Sequence, residues 1–145
     1  MNSTLHQLVL HNTALFFDIP EAKAGEAREG RTWTRKQELG HLIDSAMNNH
    51  NRIVRAALHG EYTGPFYDAD GWVDINAYAE LPWVTVITLW RDLNVQLARV
   101  IARIPENWLS SPCHIGDNPP ATLEWLIADY SAHMQHHLSK ILAQG

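Results

Sequence analysis

Two histidines one helical turn apart are the clearest chemical signal in the sequence. His133 and His137 lie in a segment whose apolar residues recur at helical spacing. Side chains at i and i+4 stand on the same face of a helix, so both imidazoles can bind one metal ion. A rotation of about 100° per residue places His137 inside the apolar arc and His133 at its edge. The competing interpretation is a pair of pocket histidines without a metal, which would need several other polar partners.

A third ligand would have to come from a facing helix, and the sequence leaves two candidates there. The apolar arc of the preceding long helix includes His50, whereas His41 falls nearly opposite and is predicted to be exposed. Alternatively, this helix is covered on two sides, and His41, Asp44, Ser45 and Asn48 line a polar pocket. Periodicity alone favours His50.

Glutamate and aspartate near these histidines suggest other kinds of site. Glu38 and His41 match the Glu-x-x-His motif of di-iron bundles, but such a site needs a second motif and two further glutamates, which the sequence lacks. Asp129 precedes His133 by four residues and is a candidate to orient His133 or His136 by a hydrogen bond. An ordinary surface aspartate is the alternative, and His136 is expected at the rim.

The loop before the last helix holds the only cysteine, Cys113, beside His114. A single thiol between prolines is more often inert than nucleophilic. His114 is a candidate for the mouth of a pocket or for ordinary loop polarity.

Four amphipathic segments are predicted to position these residues. Thr34 and Gln37 form a capping box that begins the second helix, and Pro82 suits the first turn of the third. The connection between these helices, residues 59–81, has no helical period, and no segment shows a strand pattern. The predicted fold is all-α: one domain, residues 1–145, forming a four-helix bundle with a long crossover between helices two and three. The predicted helices are residues 3–17, 34–58, 82–104 and 122–142.

Composition excludes several classes of function. The formal net charge of −5 gives no cationic surface for DNA or RNA. One cysteine allows no disulfide framework, and no apolar run approaches the roughly 18 residues of a membrane span. A soluble, cytoplasmic protein is expected. Nine histidines and a charged fraction of only 19% are its unusual features.

Several stretches in order resemble the DinB/YfiT-like metalloenzyme family. The resemblance covers most of the chain from Trp33 to Leu142 and depends on the order and separation of its parts. Those parts are Trp33-Thr34, Gly40-His41-Leu42-Ile43-Asp44-Ser45, Asn48-Asn49, Tyr67-Asp68-Ala69-Asp70-Gly71-Trp72, Pro82-Trp83, Leu89-Trp90-Arg91, Thr122-Leu123-Glu124-Trp125-Leu126 and His133-Met134-Gln135-His136-His137-Leu138.

This resemblance implies a left-handed bundle that holds one divalent ion, zinc or nickel above all, on His41, His133 and His137. It therefore selects His41 over His50. Three imidazoles leave coordination positions for water or substrate, as in catalytic sites. The resemblance also implies a homodimer.

Two activities are consistent with the resemblance. The favoured one is a thiol S-transferase, in which the metal lowers the pKa of a low-molecular-weight thiol cosubstrate that then attacks an electrophile. The alternative is a metal-dependent hydrolase, with Asp44 as the candidate general base. A non-catalytic, stress-associated metal-binding bundle is a third possibility. All three act on small molecules or ions, not on nucleic acid or membranes.

Overall fold

A computed structural model describes residues 4–143 of the chain. The four predicted helices are present, each within one residue of the predicted ends; the predicted first residue, Ser3, lies outside the described residues. A short helix, α2, occupies the connector after the first. The helices are α1 (Thr4–Phe17), α2 (Glu21–Ala24), α3 (Arg35–His59), α4 (Ala69–Asn76), α5 (Trp83–Arg103) and α6 (Leu123–Leu142).

Local signals explain where the long helices begin and end. The Thr34 side chain accepts a hydrogen bond from the Gln37 N–H while the Gln37 side chain accepts one from the Thr34 N–H, so the predicted capping box is formed. Gly60 ends α3 in the left-handed conformation (φ 77°), which costs glycine little. Thr122 caps α6 by accepting from the Trp125 N–H.

Helices α3 and α5 run parallel, as a long crossover allows. At one end the Glu21 carboxylate joins the start of both helices: Oε1 lies 2.9 Å from Lys36 Nζ, and Oε2 accepts from the Trp83 N–H at 2.7 Å. At the other end, Leu58 in the last turn of α3 and Arg103 in the last turn of α5 line the same groove. The predicted four-helix bundle with a crossover between its second and third long helices is therefore confirmed.

The remaining two long helices run opposite to α3 and α5. Arg35, at the start of α3, donates to the carbonyls of Ile141 and Ala143 at the end of α6, both at 2.9 Å. The Trp83 indole, at the start of α5, donates to the Phe16 carbonyl at the end of α1. The chain therefore runs up, down, down and up through the bundle, with the starts of α3 and α5 beside the ends of α1 and α6.

The crossover contains more regular structure than predicted. The Asp68 side chain caps α4 by accepting from the Gly71 N–H, and a 3₁₀ turn follows at Tyr78–Glu80. The prediction of no helix here was wrong because eight residues with a central glycine are too few to show a helical period.

A small sheet was also missed. Strands β1 (Tyr62–Gly64), β2 (Pro112–Ile115) and β3 (Ala121–Thr122) pair in that order. The first pair is parallel and the second antiparallel. Because each strand has at most four residues and β1 pairs with a segment about fifty residues away, no alternating pattern reveals it. The sheet joins the crossover to the loop before α6.

Apolar side chains from all four long helices meet in one core, and Trp90 and Phe16 are the largest fully buried ones. Among the helices described between residues 4 and 143, none is long and apolar enough to cross a membrane.

Gly40 allows the crossover to lie directly on α3. A Cβ at this position would stand 2.1 Å from Cδ2 of the Tyr78 ring. That ring is held in place because the Tyr78 hydroxyl donates to the Asp44 carboxylate on α3 at 2.6 Å. Close packing of Tyr78 on Gly40 buries the side of α3 that carries Asp44.

We expect Gly40→Ala to destabilise the protein by about 1–3 kcal/mol, because overpacking against Tyr78 outweighs the gain of about 1 kcal/mol in helix propensity. The free energy of unfolding in urea measures this. In a Tyr78→Ala background the same substitution should become neutral or stabilising. Equal effects in both backgrounds would show that the contact with Tyr78 is not the cause.

Candidate metal centre

Three histidines from two antiparallel helices converge at one point. His41 comes from α3, and His133 and His137 come from α6. One ring nitrogen from each lies within 4.8 Å of the others, and the Nε2 atoms of His133 and His137 are 3.1 Å apart. Two nitrogens bound to one tetrahedral ion at about 2.0–2.1 Å would be separated by roughly 3.3 Å. The structure thus brings together the three residues that the resemblance selected.

His41 is buried, and the exposure predicted for it from periodicity was wrong. Its side chain is 5% exposed, whereas His50 is half-buried beside the groove between α3 and α5. Every residue from 38 to 46 is buried because α5 and α6 cover one side of α3 while the crossover covers the other. A periodicity argument assumes one buried face and therefore fails here.

Glu38 orients His137 from behind. His137 Nδ1 lies 2.5 Å from Glu38 Oε2, and Arg28 Nη2 lies 3.5 Å from Glu38 Oε1. Burial alone would raise the pKa of Glu38, but the hydrogen bond with His137 and the charges of His137, Lys140 and Arg28 lower it overall. The ionised carboxylate then accepts the proton on Nδ1 and leaves the Nε2 lone pair of His137 free for a ligand.

Burial favours the neutral form of His41 and His133, the form in which an imidazole binds a metal. Burial, together with nearby His137 and His133, lowers the pKa of His41 to about 4. Burial also lowers the pKa of His133. His41 Nδ1 is buried without a hydrogen-bond partner among the described residues. Imidazole ligands suit zinc, nickel and similar divalent ions, so these residues fit the metal that the resemblance implies.

A polar cavity of about 310 Å³ opens beside His137. His137 and Glu38 line it, and the wall includes Trp33, whose ring packs on His41 with centroids 4.9 Å apart. Of the three histidines, His137 is the one that lines this cavity, so a small molecule in it would lie beside that ring. Its remaining lining residues are Gly30, Arg31, Thr32, Asp70 and Lys140.

Asp44 is buried in contacts with the crossover. Its Oδ1 accepts from the Tyr78 hydroxyl at 2.6 Å and from Asn76 Nδ2 at 2.9 Å, while Oδ2 is buried without a partner among the described residues. Burial raises the pKa of Asp44 to about 6, against the effect of these two hydrogen bonds. Both donors come from the crossover, so the contacts of this carboxylate fasten the crossover to α3.

The other residues that the sequence suggested for the site do not line the cavity beside His137. Asp129 is exposed, and its charge opposes the pKa-lowering effect of burial on His133. His136 is exposed, with its ring centroid 5.3 Å from that of His137. His114 is exposed on β2 and does not line the cavity beside the histidines. Cys113 is buried, which raises the pKa of its thiol and agrees with an inert residue.

Sequence reasoning missed two contributors, Arg28 and Trp33. Arg28 lies in the connector before α3, where it donates to the Lys140 carbonyl at 2.6 Å as well as approaching Glu38. That carbonyl is 112 residues away along the chain, so no local pattern indicates the contact. Trp33 is one of the residues that carry the family resemblance, but the sequence alone predicts no role for it. Its position two residues before α3 is the one signal that could have pointed to the site.

The chain belongs to the DinB superfamily, whose family model matches residues 9–141. Among curated proteins, one relative from Oceanobacillus iheyensis, provisionally named a metal-dependent hydrolase, is 27% identical over 114 residues. That match covers 79% of this chain, which spans 65% of the relative's length.

Two solved structures share the fold. YfiT from Bacillus subtilis, described as a "probable metal-dependent hydrolase with an unusual four-helix bundle topology", has a TM-score of 0.80 and 20% identity, covering 94% of this chain and 81% of YfiT. A mutant of the mycothiol-dependent maleylpyruvate isomerase has a TM-score of 0.79 and 18% identity, covering 98% of this chain and 60% of that one.

We expect Glu38→Gln to raise the dissociation constant for zinc about 10- to 100-fold, because a neutral amide holds the His137 Nδ1 proton less firmly. Competition with a chromogenic chelator measures the affinity. The matched control is Glu21→Gln, which removes a carboxylate near the same end of α3 that contacts Lys36 and Trp83. Equal zinc affinity in both variants would exclude a role for Glu38 in orienting the ligand.

Proposed function

We propose that this protein is a divalent-metal-dependent enzyme that transfers a low-molecular-weight thiol to an electrophile. The observation that carries the proposal is the convergence of three imidazoles, one of which, that of His137, lines an open cavity. His41, His133 and His137 would hold the metal, zinc or nickel. When bound, the ion would lower the pKa of a coordinated thiol and so supply a nucleophile at neutral pH.

The residues of the chain would do the remaining work in this reaction. Glu38 orients His137, and Trp33 covers the ring of His41. The cavity beside His137 would admit the thiol. In the transfer a sulfur–carbon bond forms, the leaving group departs with its electron pair, and the thiol proton passes to solvent. Because the thiol proton passes to solvent, this reaction needs no side chain as a general base. Glu38 would not serve as one, since its carboxylate already contacts Arg28 and His137.

Metal-dependent hydrolysis is the second candidate, favoured by the names of curated relatives and of YfiT. It requires a general base to accept a proton from water. The family resemblance suggested Asp44 as that general base. Because its Oδ1 accepts from Tyr78 and Asn76, the geometry supports a role in fastening the crossover more directly than a role in catalysis.

The thiol option has support from one structural neighbour, whose name describes it as mycothiol-dependent. That neighbour shares the fold at 18% identity, so its thiol is a guide to substrate class only. The homodimer and the cytoplasmic location stay predictions.

Elemental analysis tests the metal ligands. Purified wild-type protein should contain about one divalent ion per chain, and His133→Ala and His137→Ala should each lose it because two imidazoles bind too weakly. His50→Ala and His136→Ala are the matched controls and should retain the ion. Retained metal in both ligand variants would overturn the site.

Thiol consumption by the zinc- or nickel-loaded protein tests the activity. A panel of small thiols with an alkyl chloride should show metal-dependent loss of thiol, and ester hydrolysis is measured in parallel. Asp44→Asn should leave kcat/KM for thiol transfer within about threefold, whereas loss of a general base costs roughly 10²-fold or more in hydrolysis. No thiol loss across the panel would overturn the transferase proposal.

A further inference from the structure

The cavity beside His137 has two cationic residues in its lining. Arg31 lies in the loop before α3, and Lys140 lies one turn after His137 on α6. Within residues 4–143, neither side chain has a hydrogen-bond or ion-pair partner. Both charges therefore remain available to a bound molecule.

Other arginines of the chain are used differently. Arg28, Arg35 and Arg52 are buried, and each donates to backbone carbonyls that join separate parts of the fold. Arg31 is exposed and makes no such connection, although it follows Arg28 by only three residues. Arg31 lines the cavity and does not hold the surrounding framework together.

The polar groups of the cavity favour an anion. Glu38, on its inner wall, is already paired with Arg28 and His137, so its charge is balanced. Asp70 is exposed, lies at the start of α4 and is the one other acid in the lining. Arg31 and Lys140 exceed it by one positive charge. The Thr32 hydroxyl and the Trp33 ring complete the wall with one hydrogen-bonding group and one apolar face.

We propose that Arg31 and Lys140 form a carboxylate-binding subsite, so that the thiol cosubstrate of this enzyme is a small acid. The inference rests on the proposed function and names the class of its substrate. A guanidinium binds a carboxylate through two parallel hydrogen bonds, and an ammonium adds a point charge. The carboxylate would lie at the rim while the sulfur reaches inward to the histidines.

The size of the cavity sets the size of this molecule. About 310 Å³ is at the lower end of the range of small-molecule sites. It accommodates a thiol acid of roughly ten non-hydrogen atoms, at about 30 Å³ for each water-sized group. A long peptide or a nucleotide would extend beyond it.

Binding to the cobalt-loaded protein tests the subsite without measuring activity. Mercaptopropionate and its uncharged amide are titrated separately, and the sulfur-to-cobalt charge-transfer absorption reports binding of each. Wild-type protein should bind the acid more tightly, and Arg31→Ala/Lys140→Ala should lose about tenfold for the acid and little for the amide. Any chelation of cobalt by the carboxylate of the acid is the same in wild type and in the double variant. A change in the ratio of acid affinity to amide affinity therefore reports the loss of the two cations.

Two control variants separate local from long-range charge effects. Arg99→Ala/Arg103→Ala removes the same charge from exposed positions toward the far end of α5 and should leave the ratio unchanged. Asp70→Asn removes the opposing acid and should strengthen binding of mercaptopropionate. An unchanged acid-to-amide ratio in Arg31→Ala/Lys140→Ala would overturn the subsite, and so would an equal loss in the distant double variant.

A metal-free measurement distinguishes failure of the subsite from failure of the proposed function. Glutarate is titrated into the apoprotein while the Trp33 indole N–H is followed by NMR. If glutarate shifts this signal in wild type but not in Arg31→Ala/Lys140→Ala, and no thiol binds the cobalt protein, the subsite stands and the thiol transferase falls. If both thiols bind cobalt equally and glutarate causes no shift, the subsite falls and the proposed function stands.

Discussion

The buried carboxylate of Glu38 is the interaction on which the arrangement of the site depends. A carboxylate removed from water must be balanced by partners, and here Arg28 and His137 supply them. Arg28 comes from the connector, Glu38 from α3 and His137 from α6, so one charge ties three separate segments together. The same contact selects the tautomer of His137. The framework of the bundle and the chemistry of its histidines therefore share one set of hydrogen bonds.

The crossover is the second determinant of the site. By covering the side of α3 that would otherwise face water, it converts a polar stripe into an interior surface. Asp44 lies within this stripe and is buried there, whereas His41 is covered by Trp33 and by the histidines of α6. Tyr78 and Asn76 hold the crossover through Asp44, while Gly40 provides the space for Tyr78. The packing of α3 at Gly40 and Asp44 thus depends on residues more than thirty positions further along the chain.

The parts of this structure that the sequence predicts are those with local causes. The capping box at Thr34, the start at Pro82 and the spacing of His133 and His137 act over a few residues, so helices α3, α5 and α6 and the histidine pair could be predicted. The choice of His41 over His50 came from family resemblance, because helical periodicity cannot anticipate burial on two sides. Arg28 and the short sheet depend on contacts between distant parts of the chain. Such contacts leave no local pattern in the sequence from which they could be predicted.

The parallel course of α3 and α5 also has an electrostatic consequence. Helix dipoles of parallel neighbours point the same way, so the partial positive charges at the starts of α3 and α5 lie side by side. Glu21 stands between them, accepts the first N–H of α5 and pairs with Lys36, and these contacts lower its pKa. The end of α6, with partial negative charge, lies nearby and is met by Arg28 and Arg35. At this end of the bundle, an acidic residue therefore lies beside two helix starts, and two basic residues lie beside a helix end. These charges offset the electrostatic repulsion between the parallel dipoles of α3 and α5.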